Sequence, residues 1–154
     1  MKNLLAIVLI AFSLNAFAQQ KPLEWHTDVN KAITKSVETS KPLLLFFTGS
    51  DWCGWCKRLQ KEVFFKSEFT VWANKNVILV EIDFPKRTQL STELQKQNRE
   101  LQQLFAVRGY PTIWFVSPEI EGEKVNFKRL GSQGYMAGGP PAWIAGANKI
   151  ISLK

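Results

Sequence analysis

Cys53 and Cys56 are the only cysteines of the chain, and they stand three residues apart in Trp52-Cys53-Gly54-Trp55-Cys56-Lys57. They follow an apolar run, Pro42-Leu43-Leu44-Leu45-Phe46-Phe47. A continuous apolar stretch of that length reads as a strand covered on both faces of a sheet. A helical pattern starts at the cysteines themselves, with Cys56, Leu59, Val63 and Phe64 on one face and Lys57, Arg58 and Lys61 outward. A thiol at the first turn of a helix meets unpaired backbone N–H groups and the positive end of the helix dipole. Both favour the thiolate, the species that attacks disulfides. The second cysteine, one turn on, is close enough to close a disulfide with the first. A reversible dithiol is the leading reading.

The N-terminus supplies the compartment. Met1-Lys2-Asn3 is followed by an apolar stretch from Leu4 to Leu14 and by Ala16-Phe17-Ala18. A short basic start, an apolar core too short to span a bilayer and an A-x-A site predict a signal peptide over residues 1–18. Cleavage after Ala18 leaves residues 19–154, the size of one domain, destined for the periplasm. The whole chain carries 6 tryptophans and 11 phenylalanines, ample material for a core. Such a core needs no staple, and a bridge across so short a loop removes little unfolded-state entropy. In an exported chain the pair therefore points to chemistry.

Composition argues against other classes. The net charge is +7, but the lysines and arginines are scattered and no basic stripe alternates with exposed aromatics, so no nucleic-acid partner is expected. One C-x-x-C and the single His26 supply at most three metal ligands where structural zinc takes four, so no metal is expected.

The remaining pattern organises the fold. Leu23 to Thr27 reads as a short edge strand, and Asp28 caps a helix to Thr39 with Val29, Ala32, Ile33 and Val37 along one face. Glu68 to Asn74 is a second helical piece after the cysteines, and Val77 to Phe84 a strand. Residues 86–100 form a polar, Gln-rich insertion in which Thr92-Glu93-Leu94-Gln95 resembles a capping box. Leu94, Leu101, Leu104 and Phe105 share a helical face. Ile113 to Val116 and Val125 to Leu130 read as antiparallel strands, and Gly138-Gly139-Pro140-Pro141 opens a last helix. The order β-α-β-α-β-α-β-β-α implies an α/β domain: a three-layer sandwich with a central mixed sheet flanked by helices.

With Gly109-Tyr110-Pro111-Thr112 about 55 residues beyond the cysteines and ahead of another strand, the chain resembles the thioredoxin-like proteins. The Thr48 to Cys53 run, Glu81-Ile82-Asp83-Phe84-Pro85 and the Gln-rich insertion are similar to the exported bacterial thiol–disulfide oxidoreductases of the DsbH type. The resemblance implies that Cys53 is the attacking nucleophile and Cys56 the resolving thiol. It also implies that Pro111 follows a cis bond beside the dithiol, that Tyr110 offers backbone hydrogen bonds to an extended substrate, and that Trp52 flanks the docking surface. Trp55 is a further candidate for substrate contact. Thioredoxins place a buried aspartate six positions before the first cysteine; here that position is Phe47. Water, Glu81 or Asp83 is left to assist Cys56.

The function expected is an exported thiol–disulfide oxidoreductase that needs no cofactor besides its own dithiol. Its partners would be exported proteins with disulfides or thiols, and a membrane electron donor that resets it. Strongly oxidising relatives carry a histidine between the cysteines, and Gly54-Trp55 stands there instead. A less stabilised thiolate makes the couple more reducing, so reduction or isomerisation is expected over dithiol oxidation. A redox-inert binding module or chaperone on the same fold is the alternative, and its sign would be a missing cysteine.

Overall fold

The computed structural model describes residues 21–153. The expected leader, residues 1–18, lies outside them. Five strands, β1 (Trp25–His26), β2 (Leu43–Thr48), β3 (Ile78–Asp83), β4 (Thr112–Glu121) and β5 (Lys124–Gln133), form one sheet in the order β1-β3-β2-β4-β5. β3 runs parallel to both β1 and β2, whereas β4 is antiparallel to β2 and β5. The sheet is thus mixed, as its sequence order requires.

β2 is the central strand, and its six residues are all buried. The alternation of side chains along a strand divides them between two cores. Leu44 and Phe46 join Cys53, Cys56, Val63, Phe64, Phe69 and Trp143 in one layer. Leu43, Leu45 and Phe47 join Ile33, Leu101 and Phe105 in the other. The first layer is covered by α2 (Gly54–Leu59), α3 (Ser67–Asn76) and α5 (Gly139–Ile151), and the second by α1 (Val29–Thr39) and α4 (Thr92–Leu104). Trp143 has no exposed surface, and its ring meets those of Phe64, Phe69, Trp72 and Phe115 at 5.4 to 6.2 Å. Trp72 Nε1 donates to Asn148 Oδ1 at 2.7 Å, which ties α3 to α5. Burial of each such side chain stabilises the fold by about 2–3 kcal/mol.

Several expectations shift in detail. Asp28 caps α1, its carboxylate accepting from the Asn30 N–H at 2.9 Å, but Val37 is half-exposed and Ser36 takes the inward position. α4 is capped by Ser91, one residue before the expected box, and Leu104 points outward. The helix after the cysteines widens into a π-helical turn, Gln60–Phe64. Strands β4 and β5 run several residues past the expected ends, with Pro118 paired to Phe127. Proline usually marks a strand's end because it cannot donate to a ladder. Here the hairpin continues to a tight turn at Gly122, whose φ of 62° is the left-handed value such a turn needs.

Candidate functional site: a disulfide at a helix N-terminus

Cys53 and Cys56 are joined by a disulfide of 2.02 Å, with Cα atoms 5.3 Å apart. Cys53 is the N-cap of α2, and its Sγ accepts the Cys56 N–H at 3.1 Å. The turn before it closes through the Gly49 carbonyl, which accepts from the N–H groups of Trp52 and Cys53 at 3.2 and 2.8 Å. Gly49 is required there by space: a Cβ would lie 2.4 Å from the Trp52 ring. Cys53 retains 5% of its surface and Cys56 none. Access to the pair is therefore through Cys53. The Lys57 ammonium bonds the Asp51 carbonyl at 3.0 Å, on the flank of the same turn.

Trp52 is held on three sides. Its Nε1 donates to the Phe84 carbonyl at 2.8 Å, its ring meets Tyr110 edge-on at 5.7 Å, and the Lys86 ammonium sits 4.3 Å over its face. Tyr110 packs in turn on Phe84 at 5.4 Å, and its hydroxyl accepts from Gln102 Nε2 at 2.7 Å. Partial burial pushes the Tyr110 phenol upward. The Tyr110–Pro111 bond is cis. Trp52 and Tyr110, 58 positions apart, thus form one wall beside the disulfide.

Trp55, two residues past Cys53 on α2, is more than half exposed. Its ring lies 5.2 Å from Tyr135, and the Arg58 guanidinium stands over both rings. Glu62 holds this group together, accepting from Arg58 Nε at 2.8 Å and from the Tyr135 hydroxyl at 2.6 Å. The Tyr135 bond and then the Arg58 bond draw the Glu62 carboxyl below its ordinary value. Sequence reasoning missed this cluster. Arg58 and Glu62 show a helical i,i+4 spacing, but nothing local announces Tyr135.

The acids separate clearly. Asp83 gives one oxygen to the Ser50 N–H at 2.8 Å and the other to the Ser50 hydroxyl at 2.6 Å. Glu81 is paired with Phe46 across the parallel ladder and lies two residues from Leu79. Both neighbours belong to the cysteine layer, so Glu81 projects toward that layer as well. Burial, with a smaller contribution from Asp83, raises the Glu81 carboxyl. Phe47 faces the opposite core. Asp51 accepts from the backbone N–H groups of Lys86, Arg87 and Thr88 at 2.6 to 3.3 Å. Those bonds, that of Lys86 foremost, lower its carboxyl. They pin the start of the insertion onto the cysteine turn, a contact the sequence did not signal.

His26 lies on β1 with Glu24 3.9 Å away. Among the described residues no group of three or more His, Cys, Asp or Glu side chains is placed to hold a metal ion. No described helix is long and apolar enough to cross a membrane.

Comparison with known proteins agrees with this geometry. A family model described as a thioredoxin-like domain matches residues 29–136. Disulfide bond reductase DsbH of Chlamydia pneumoniae is 33% identical over 132 residues, covering 86% of this chain and 75% of that protein. Thioredoxin-related protein DsbJ of the same organism is 30% identical over 141 residues; the match covers 88% of this chain and 39% of DsbJ. A solved structure of DsbH oxidoreductase superposes with a TM-score of 0.77 at 30% identity, covering 100% of this chain and 96% of the other. The solution structure of a thioredoxin from Thermus thermophilus superposes at 0.61 with 14% identity, covering 84% and 88%, a likeness of fold. With its Cys53–Cys56 disulfide at the start of α2, and with relatives that include a disulfide bond reductase, the chain belongs to the thioredoxin-like family.

Proposed function

We propose that the protein is an exported thiol–disulfide oxidoreductase that works in the reducing direction, cleaving or rearranging disulfides of exported proteins. The observation that carries the thiol chemistry is the position of Cys53 Sγ, on the cap of α2 with the Cys56 N–H directed at it. A sulfur there is stabilised as thiolate by the helix end. The reducing direction rests on Gly54-Trp55 between the cysteines, where no imidazolium adds to that stabilisation.

The reaction follows from that asymmetry. In the reduced protein the Cys53 thiolate attacks one sulfur of a substrate disulfide; a Cys53–substrate bond forms as the substrate S–S bond breaks, and the other substrate sulfur leaves as thiolate. Cys56, deprotonated, then attacks Cys53 Sγ. The Cys53–Cys56 bond of the present structure forms, and the second substrate sulfur departs. Two electrons pass from the protein to the substrate, whose thiolates take up two protons. Glu81, on the cysteine side of the sheet with its carboxyl raised by burial, serves as the acceptor for the Cys56 proton, directly or through water. Trp52, Tyr110 and Pro111 form one wall of the substrate groove, and Trp55 offers a further contact. A membrane electron donor returns the disulfide to the dithiol. Residues 1–18 serve as the export signal.

A glutathione redox titration, followed by tryptophan fluorescence, tests the direction. The midpoint is expected nearer the thioredoxin end, about −270 mV, than the strongly oxidising end, about −120 mV. A midpoint more positive than about −160 mV makes the protein an oxidant and overturns the assignment.

A further inference from the structure

Beside the Trp52–Tyr110 wall lies a cleft of about 510 Å³ between the 84–90 segment and α4. Its lining includes Phe84, Lys86, Arg87, Asn98, Arg99 and Gln102. Two of these belong to the wall itself: Phe84 holds the Trp52 indole, and Gln102 holds the Tyr110 hydroxyl. The cleft therefore continues the surface that borders the disulfide. Asp51, whose carboxylate fixes residues 86–88, precedes Cys53 by two positions, a span of at most about 7 Å.

The charge of the cleft is mostly positive, three cations against the carboxylate of Asp83. Lys86, Arg87 and Arg99 bring three cations, and none of them has a carboxylate within ion-pair distance among the described residues. Arg99 has only a long contact to the Gln95 amide at 3.5 Å. Asp83, at the edge of the cleft, keeps its negative charge but directs both oxygens to Ser50, so the cations outnumber it three to one. Asn98, also in the lining, donates its amide to the Asp83 carbonyl at 2.8 Å and so is already bonded. What remains is a positive surplus around a partly apolar hollow, with Arg87 in the field of Asp51 and Lys86 seated on the Trp52 ring but neither held in a close ion pair. Guanidinium groups suit carboxylates, which they grip through two parallel N–H···O bonds.

We propose that this cleft is an acidic-segment subsite: it takes the carboxylate of an Asp or Glu lying about three residues, in extended chain, from the substrate cysteine that Cys53 attacks. The subsite rests on the oxidoreductase reading above and gives it a substrate class, exported polypeptides with acidic residues flanking the target disulfide. Lys86, seated on Trp52, joins the two surfaces, so that one substrate strand touches the wall and the cations together.

The test uses reduced protein, cleaved of its leader, and two disulfide peptides identical except for Asp/Glu against Asn/Gln at the flanking positions. The acidic peptide is expected to show kcat/KM about tenfold higher at low ionic strength, in the range that electrostatic steering supplies. That ratio falls toward one in the double variant Arg87→Gln/Arg99→Gln and in about 0.5 M salt, where charges are screened. Equal rates for the two peptides overturn the subsite while leaving the oxidoreductase reading intact. Reduction of neither peptide overturns the oxidoreductase reading instead. The subsite is then decided by binding of cysteine-free versions of the peptides, read from tryptophan fluorescence. Saturable binding of the acidic peptide alone, lost in the double variant, supports it, and indifference to charge removes it.

Discussion

The N–H of Cys56 points at the sulfur of Cys53, 3.1 Å away, across the first turn of α2. One backbone donor thus serves the sulfur that keeps some surface, while the cysteine that supplies the donor is sealed beneath it. Geometry alone divides the labour between two identical side chains. Cys56→Ser is expected to accumulate mixed disulfides with substrate through Cys53, and Cys53→Ser to accumulate none. Non-reducing electrophoresis with mass mapping of the adducts checks this; adducts through Cys56 reverse the assignment.

Glu81 gives opposite signs for stability and rate. Its folded carboxyl titrates above the ordinary value, chiefly because of burial. The folded state therefore binds the proton more tightly than the unfolded one. The penalty is absent below the ordinary value of 4.5 and grows as pH rises through the raised one. Glu81→Gln removes the penalty, so the variant is expected to be slightly more stable at pH 7, by less than about 1 kcal/mol after solvent screening. Its resolving step is expected to slow about tenfold or more, within the usual reach of general-base assistance. Thermal melts and rapid-quench kinetics across pH separate the two effects, and an unchanged pH profile of resolution excludes Glu81 from the proton's path.

Asp51 governs the 86–88 segment. Asp51→Ala frees three backbone N–H groups, and amide exchange at Lys86, Arg87 and Thr88 is expected to accelerate about tenfold or more while the sheet keeps its protection. Acid should do the same to the unaltered protein. Because the folded carboxyl is lowered, this anchorage is complete above the ordinary value of 3.8 and is lost as pH falls through the lowered one. Hydrogen exchange at pH 7 compares the variant with its parent. Equal protection of the three amides in both would show that the segment is held by something else.

The Trp55 platform depends on Glu62. In Glu62→Gln the Arg58 guanidinium loses its ionic partner and the Tyr135 hydroxyl its strong acceptor. Trp55 is expected to become more mobile, with lower fluorescence anisotropy and easier quenching by iodide, while the melting temperature barely moves. Unaltered quenching would mean that ring packing alone positions the indole.

What the sequence made legible was local. The apolar run of β2, the helical stripe after Cys56 and the Asp28 cap are each decided by residues a few positions apart, and each stands where expected. Of the candidate site, the sequence marked the two cysteines that the structure joins and the Tyr110–Pro111 bond that it holds in cis. The bonds that position the site were not marked. Glu62 finds Tyr135 across 73 residues, Asp51 finds Arg87 across 36, and Gln97 accepts from the Val29 N–H across 68. A polar residue in isolation reads as a solvated surface, and only the folded topology supplies its partner. That is why the Gln-rich helix gave no sign of its partners: its amides reach Val29, Thr27, Asp83 and Tyr110. The π-helical turn was hidden for a related reason, since Val63 and Phe64 fit an ordinary helical stripe equally well.

The space that Gly49 leaves for the Trp52 ring makes these two positions a single heritable unit. Any side chain at 49 meets the indole, so position 49 can grow only where the indole moves or is replaced. Trp52 is itself partly exposed, and solvent can fill the place of a smaller residue there. A library randomised at both should therefore return residues larger than glycine at 49 only where 52 is no longer tryptophan. The wall beside the disulfide is in this sense written in two residues, of which the silent one carries no side chain.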